Sequence, residues 1–294
     1  MRKLAAVFTV LSAVTILAAC SSAAPTEGAD GTSSEALDQI DAKMHVQWQR
    51  GFAHGGGGGG GSSNLVDHGG RVLPASHAYA IYWGGSSAFP SDLQSGISSL
   101  FDGMTSSSFL GISNQYMRGA AASTLTYEGA YTDTTAPPSR GPATSAIVGE
   151  ACNVINANHL TADPAAVYFV FTSNFPSGHV SYCAWHSSGT CNGQTIQVAY
   201  MPNTTGMAGC DPGDLYACNS YSQGTRSVAN VTSHEFMEAI TDADPGATGA
   251  WTDSSGSEIG DKCAWQFASC VGLSTGNWQL QKEWSNAITG CQQK

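Results

Sequence analysis

The spacing of apolar residues predicts strands and helices that alternate through most of the chain. Short, nearly continuous apolar runs at residues 79–83, 166–172 and 195–201 predict buried strands. Apolar residues recur every three or four positions within residues 90–104 and 143–156, which is typical of helices with one buried face. We therefore expect a layered fold in which helices cover a sheet.

The rest of the chain adds two weaker strands, a loop and a third helix. Residues 113–117 and 124–131 are predicted as strands, and the Gly-, Ser- and Cys-rich residues between 172 and 195 as a loop. A helix is predicted over residues 227–241, with Ser227 as its N-cap. The C-terminal part beyond it is expected to be irregular. This order predicts an α/β or α+β domain in which the third helix packs beneath a mixed sheet.

The N-terminus has the pattern of a targeting segment. Arg2 and Lys3 precede an apolar run that ends in the lipobox-like sequence LAAC at residues 17–20. Residues 1–19 therefore resemble a bacterial lipoprotein signal peptide, after which Cys20 would carry the lipid and anchor the chain to a membrane of the cell envelope. An ordinary secretory signal is the alternative. Both predict an exported chain that faces outside the cytoplasm.

Residues 20–70 are predicted to form a flexible tether. They are rich in Ser, Ala, Thr and Gly, and seven consecutive glycines occupy residues 55–61. Such a composition buries too little apolar surface to offset the entropy of ordering. A short amphipathic piece at 35–48 is predicted to be helical. Residues 71–294 are predicted to form a single globular domain.

Charge and cysteine content narrow the class of protein. Without residues 1–19 the chain keeps 9 basic and 22 acidic residues, so a nucleic-acid partner is not expected. Eight cysteines remain besides Cys20, and an even number in an exported chain predicts disulfides. The local pairs Cys183–Cys191, Cys210–Cys218 and Cys263–Cys270 are the simplest pairing, which leaves Cys152–Cys291.

A metal-binding pattern lies on the 227–241 helix. His234 and Glu238 are four residues apart and project from one face, with Glu235 beside them. The order His-Glu-x-x-Glu is similar to the His-Glu-x-x-His of zinc peptidases, and imidazole and carboxylate groups both bind zinc. Because those peptidases share the plan of a mixed sheet with packed helices, we expect a zincin-like fold. The alternative is an ordinary ion pair on a helix surface.

The acidic residues after the helix are candidates for a third ligand. Glu258 is preferred, because twenty residues after Glu238 allow the chain to reverse over the helix, and Asp261 is second. A calcium loop over residues 253–261 is the competing prediction. With zinc bound, Glu235 is predicted to act as a general base toward a water molecule. Two carboxylate ligands would reduce the Lewis acidity of the ion, so we expect weak hydrolysis.

His186 lies between two cysteines in the sequence CAWHSSGTC. Its simplest interpretation is a structural or surface residue of a disulfide loop. A role in orienting a substrate or stabilising an oxyanion is the alternative.

Several separated stretches resemble the EXORDIUM-like, or phosphate-induced, protein family. In chain order over residues 68–291 they are HGGRVLPASHAYAIYWGG, SYCAWHSS, SHEFMEAITD, EIGDKCAW and WQLQKEWSNAITGC. The resemblance implies an extracellular or cell-surface protein without an assigned biochemical activity. Its shared Glu-Ile-x-Asp-x-Cys element implies that Glu258 and Asp261 are site residues beside the helix. The lipobox and the glycine run depart from the plant pattern.

Two functions are consistent with these patterns. The first is a lipid-anchored, surface-exposed zinc metallohydrolase that acts on peptides. The second is a non-enzymatic surface or cell-wall binding protein with a structural metal. The sequence predicts neither the substrate specificity nor the oligomeric state.

Overall fold

A computed structural model describes residues 44–52, 63–211, 213, 217–246 and 249–294, which all belong to one compact unit. The α-helices are α1 (Leu93–Met104), α2 (Ser108–Gly111), α3 (Thr144–Ala157) and α4 (Gln223–Thr241). The strands are β1 (His45–Trp48), β2 (Val66–Asp67), β3 (Ala75–Trp83), β4 (Thr124–Asp133), β5 (Ala166–Thr172), β6 (Tyr182–Cys191), β7 (Gln194–Pro202), β8 (Trp251–Thr252), β9 (Val271–Leu273), β10 (Gly276–Trp278), β11 (Glu283–Ser285) and β12 (Gly290–Gln292).

Six strands form a mixed sheet in the order β1-β6-β7-β5-β3-β4. The pairs β7-β5, β5-β3 and β3-β4 are parallel, whereas β1-β6 and β6-β7 are antiparallel. Parallel neighbours need long crossover connections, and α1 and α3 lie in two of them. Every residue of β5 is buried because helices cover both faces of the sheet.

The core is divided between the two faces of the sheet. Leu100 of α1 and Phe236 of α4 belong to one buried cluster, and Ile147 and Ile155 of α3 belong to the other. Helix α4 packs across β6 and β7 and also against α1. The predicted mixed α/β class is therefore confirmed, with α4 lying against the antiparallel end of the sheet.

Helix α4 begins four residues earlier than predicted. Ser222 is its N-cap, with a side chain that accepts a hydrogen bond from the Thr225 amide. The predicted cap, Ser227, instead lies inside the first turns, where its hydroxyl donates to the Cys210 carbonyl. Almost every residue of the helix is buried, including Ala229 and Ile240.

Three predicted elements are wrong. Residues 113–117 are not a strand, because Ile112–Tyr116 forms a 3₁₀ helix. The predicted loop between 172 and 195 contains the ten-residue strand β6. Residues 45–48, placed in the tether and predicted to be helical, form strand β1 at the edge of the main sheet. The C-terminal part also contains two small antiparallel pairs, β9-β10 and β11-β12.

All four predicted disulfide pairings are wrong. The bonds observed are Cys152–Cys191, Cys183–Cys210, Cys218–Cys270 and Cys263–Cys291. Cys183 and Cys191 lie at opposite ends of β6, and eight residues of strand span about 26 Å. Bonded cysteines have Cα atoms only about 4–7 Å apart, so a local pair is impossible there.

Four disulfides are typical of a protein that folds in an oxidising, extracellular environment. Within the described part of the chain, no helix combines the length and apolar character needed to cross a bilayer. The predicted signal peptide and Cys20 lie outside the described residues.

Candidate metal centre

Five separate segments bring histidines and carboxylates together between α4 and the antiparallel end of the sheet. Strands β1 and β6 place His45 and His186 directly opposite each other as register partners. The turn at residues 258–261 passes back over α4, as the sequence predicted. The side chains that meet are His45, His186, His234, Glu238, Glu258 and Asp261, and the buried Glu235 and Glu283 are near enough for the charges of Glu238 and Asp261 to act on them.

Three fully buried side chains converge at the middle of this cluster. His186 Nε2 lies 3.3 Å from Glu258 Oε2 and 3.8 Å from Glu238 Oε2. No well-formed hydrogen bond from the described residues reaches any of these three atoms. Two ligands of a tetrahedral zinc ion are about 3.3 Å apart, given bonds of about 2.0–2.1 Å. His186, Glu238 and Glu258 therefore have the spacing of a cation site.

The other oxygen of Glu238 is already in use. Glu238 Oε1 accepts a hydrogen bond from the Asp261 backbone amide at 3.0 Å and lies 3.2 Å from His234 Nε2. One carboxylate oxygen thus anchors the turn to the helix, while Oε2 faces His186. This division orients Glu238 before any cation binds.

His45 connects the two acidic residues of the turn. Its Nδ1 lies 3.0 Å from Glu258 Oε1, and its Nε2 lies 2.5 Å from Asp261 Oδ2. The shorter distance is that of a direct hydrogen bond and is too short for two ligands of one ion. His45 and Asp261 are also the most accessible members of this group, with side chains 17% and 14% exposed.

The surroundings of His234 favour a hydrogen-bonding role. Gln281 places its Nε2 2.6 Å from His234 Nδ1 and 3.1 Å from the Gly260 carbonyl. The Gln281 Oε1 accepts from Gln47, which assigns Nε2 as the atom that faces the imidazole. His234 Nδ1 therefore accepts, and a neutral ring carries its proton on Nε2, beside Glu238. A metal ligand needs that nitrogen free of its proton.

Glu235 is completely buried next to this group. Neither carboxylate oxygen makes a well-formed hydrogen bond with the described residues. Burial raises its pKa well above the usual range, and the charges of Glu238 and Asp261 add to the shift. The backbone amide of Gln47 works in the opposite direction.

The remaining pKa shifts follow from burial and from the mixture of charges. Burial raises the pKa of Glu258 and of Glu283 well above the ordinary value, and it lowers that of His186 well below. Burial also opposes the charge on His45, but Glu258 and Asp261 outweigh it and raise the His45 pKa well above its usual range. Partial burial opposes the charge on Asp261 as well, but the neighbouring His45 keeps the pKa of Asp261 below the ordinary value.

Gly260 allows the turn to approach the helix. A Cβ atom at this position would lie 2.6 Å from His234 Nδ1 and 2.9 Å from Glu238 Oε1. The backbone there has φ −77° and ψ −43°, which any residue can adopt. Glycine is therefore required by close packing rather than by an unusual backbone.

The competing calcium loop is not assembled in this arrangement. Asp253, its first acidic residue, binds Lys262 Nζ at 2.8 Å through Oδ2 and accepts from Ser255 and Ser257 through Oδ1. Although Asp253 is partly buried, these hydrogen bonds lower its pKa to about 2. Both oxygens of Asp253 are thus occupied, and the ammonium group of Lys262 takes the place that a calcium ion would need.

The structure brings together all five residues predicted for the site: Glu235 as base, and His234, Glu238, Glu258 and Asp261 as ligands. Metal binding by these residues stays a prediction. Sequence reasoning missed His45 altogether and treated His186 as a loop residue. Both lie in strands, and the alternation of polar and apolar residues in HVQW at 45–48 was the available signal for the first.

A scan of protein-family models and searches of curated proteins and of solved structures found no match to this chain.

Proposed function

We propose that this protein is a zinc-dependent hydrolase whose centre lies between α4, β6 and the 258–261 turn. His186, Glu238 and Glu258 are the proposed ligands. The proposal rests on one observation, namely three fully buried atoms at ligand spacing that no described group satisfies. Buried polar atoms without partners are costly, and a cation would remove that cost.

The proposed ligand set differs from the one expected from sequence alone. His186 takes the place of His234 because Gln281 leaves the proton of His234 on the nitrogen that faces Glu238. The Asp261 amide then holds Glu238 by Oε1, which lies 3.2 Å from His234 Nε2, and Oε2 remains for the ion. Imidazole with carboxylates suits zinc, although manganese and iron accept similar groups.

The chemistry that follows is hydrolysis of a peptide bond. A zinc ion held there would supply Lewis acidity, which polarises a carbonyl group and makes a water molecule more acidic. Glu235 accepts a proton from that water as its oxygen bonds to the carbonyl carbon. The same carboxyl then gives the proton to the departing amine nitrogen as the carbon–nitrogen bond breaks.

The wider setting is part of the same proposal. We assign the chain to the EXORDIUM-like family, with a zincin-like domain held at the bacterial cell envelope by lipid on Cys20. The motifs on α4 and in the 258–261 turn support the family, and the four disulfides support a location outside the cytoplasm. Peptides or cell-wall components are the expected substrates.

Metal content of the purified full chain tests the centre. We expect about one zinc per chain by elemental analysis, and loss of it in His186→Asn. His159→Asn is a matched control, because His159 is exposed and its positive φ of 55° suits asparagine. A chain without bound metal, or equal metal in both variants, would refute the ligand assignment.

Peptide hydrolysis by the zinc-loaded wild type and by Glu235→Gln tests the chemistry. We expect the variant to keep its metal and to lose at least a hundredfold in rate. Equal rates would remove Glu235 from the mechanism.

A non-enzymatic surface or cell-wall binding protein with a structural metal is the second candidate. The complete burial of His186, Glu238 and Glu258 favours it, since catalytic zinc keeps a position open to water. Bound zinc with no hydrolysis by either form would favour this candidate.

A further inference from the structure

Strand β1 is one of the two edge strands of the main sheet, and the next described stretch of the chain begins at residue 63. It contains only four residues, and β6 is its one partner among the strands that the structure describes, in the antiparallel direction. Two hydrogen bonds hold the backbone at its C-terminal end. The Gln49 amide donates to the Ser181 carbonyl at 2.8 Å, and the Trp265 side chain donates through Nε1 to the Trp48 carbonyl at 2.9 Å. Without β1, strand β6 would itself be the edge of the sheet.

Alternate side chains of β1 enter the candidate centre. His45 contacts Glu258 and Asp261, and Gln47 Nε2 lies 3.3 Å from the Oε1 of Gln281. Val46 and Trp48 point to the opposite face and pack in the cluster that includes α3. A strand at this edge therefore places every second residue over the centre.

The side of the centre that β1 covers is also the side nearest to solvent. His45 and Asp261 keep some exposure, whereas His186, Glu238 and Glu258 have none. Removal of β1 would uncover the hydrogen-bonding edge of β6 and the carboxylates of Glu258 and Asp261. A complete site for an extended chain would then face solvent.

We propose that β1 occupies the place of an extended peptide substrate, so that the segment from Met44 to Phe52 is a pseudosubstrate of its own domain. This inference rests on the proposed function and names its substrate class. The substrate is an extended peptide that adds to β6 as an antiparallel strand. Main-chain hydrogen bonds provide most of the affinity, and alternate side chains provide selectivity.

The neighbours of β1 indicate which peptides fit. Val46 is almost completely buried beside its register partner Trp185, so apolar side chains are favoured at the positions of Val46 and Trp48. The position of His45 faces two carboxylates, which favours a basic side chain or a hydrogen-bond donor. An acidic residue there would be rejected.

The test uses the full chain with a cleavage site for a sequence-specific protease inserted into the glycine run at residues 55–61. The cut protein is passed through gel filtration. A fluorescent synthetic peptide of residues 44–52 is then added, and binding is followed by anisotropy. The matched control is the same peptide with His45→Ala. Hydrolysis of an extended reporter peptide is measured with zinc before and after cutting.

We expect the labelled peptide to bind the cut protein and not the intact one. The His45→Ala peptide should bind at least about tenfold more weakly, as expected for lost hydrogen bonds to charged partners. Cutting should raise the rate of hydrolysis at least tenfold. Equal hydrolysis by intact and cut protein, or a fragment that never exchanges with added peptide, would overturn the inference.

Two further outcomes separate this inference from the proposed function. Peptide binding after cutting, with no hydrolysis by either form, would support the edge site and refute the hydrolase. Full hydrolysis by the intact chain would support the hydrolase and refute the pseudosubstrate. Should the cut protein unfold, the full-chain variant Val46→Pro serves instead. Proline weakens the pairing of β1 with β6, and the side chain at this position lies on the face away from the centre. Val46→Ile is its control. Unchanged hydrolysis in a folded Val46→Pro protein would also overturn the inference.

Discussion

The contact between the 258–261 turn and α4 can be tested with one added methyl group. In Gly260→Ala the new Cβ would lie 2.6 Å from Nδ1 and 2.8 Å from Cε1 of His234, whereas ordinary contacts are 3.4–4 Å. The turn and the helix must therefore separate by about 0.8 Å. Zinc ligands tolerate displacements of only about 0.2 Å.

Gly260→Ala should lower both the stability of the fold and the affinity for zinc. Overpacking in a buried site costs about 1–3 kcal/mol, which lowers the melting temperature of a domain of this size by about 2–12 °C. Displacement of Glu238 and of the adjoining turn should weaken zinc binding at least tenfold. The backbone at Gly260 is compatible with alanine, so neither effect comes from conformational strain.

Thermal unfolding with and without zinc measures the loss of stability. A zinc titration of the metal-free protein measures the loss of zinc affinity. Gly149→Ala is the matched control, because a Cβ at this position inside α3 meets no atom within 4 Å. It should gain up to about 1 kcal/mol. A Gly260→Ala protein with wild-type melting temperature and zinc affinity would refute the packing of turn and helix as one unit.

Three other changes have outcomes of definite sign. Glu258→Gln should stabilise the metal-free protein by about 1–3 kcal/mol, because it removes a buried carboxylate, but should abolish stabilisation by zinc; stabilisation by zinc equal to that of wild type would exclude Glu258 as a ligand. Burial and the charge of Asp133 raise the pKa of Glu150 to about 7 from 4.5, so the folded protein should lose about 3 kcal/mol as pH rises from 4.5 to above 7. Glu150→Gln should remove that part of the slope in urea unfolding at pH 4.5 and 8, and an unchanged slope would contradict the assignment. Replacing Cys183 and Cys210 by serine should cost about 3.5 kcal/mol in the same assay, as expected for a loop of 27 residues, whereas a cost below 1 kcal/mol would show that the bond is dispensable.

Local patterns predicted the parts of the site that are local in sequence. His234, Glu235 and Glu238 lie within one helix, so spacing alone places them together. Glu258 and Asp261 are on a return of the chain, and their acidic, turn-forming sequence was sufficient to indicate it. The period of apolar residues likewise predicted α1, α3 and β5 with small errors at their ends.

The missed residues depend on contacts between distant segments. β6 reads as a loop because Ser187, Ser188 and Gly189 have low strand propensity, yet Ser187 is buried between neighbours that the sheet provides. His45 belongs to a four-residue strand beside a glycine run, where composition predicts a tether. The predicted disulfide pairings were wrong for the same reason, since an extended β6 separates cysteines that are close in sequence.

His45 and Asp261 are 216 positions apart in the chain, and this separation limits when a metal ion could enter the proposed centre. Contacts of such separation form late, because much of the chain must be ordered first. In a polypeptide that is crossing a membrane or still folding, only His234 and Glu238 are close together, because they lie on one helix. The other acidic residues of the centre are still far apart. Loading of the centre is then a step for the finished protein. If the proposed centre binds a metal ion in an exported chain, the metal supply of the surroundings, and not that of the cytoplasm, would decide which ion it carries.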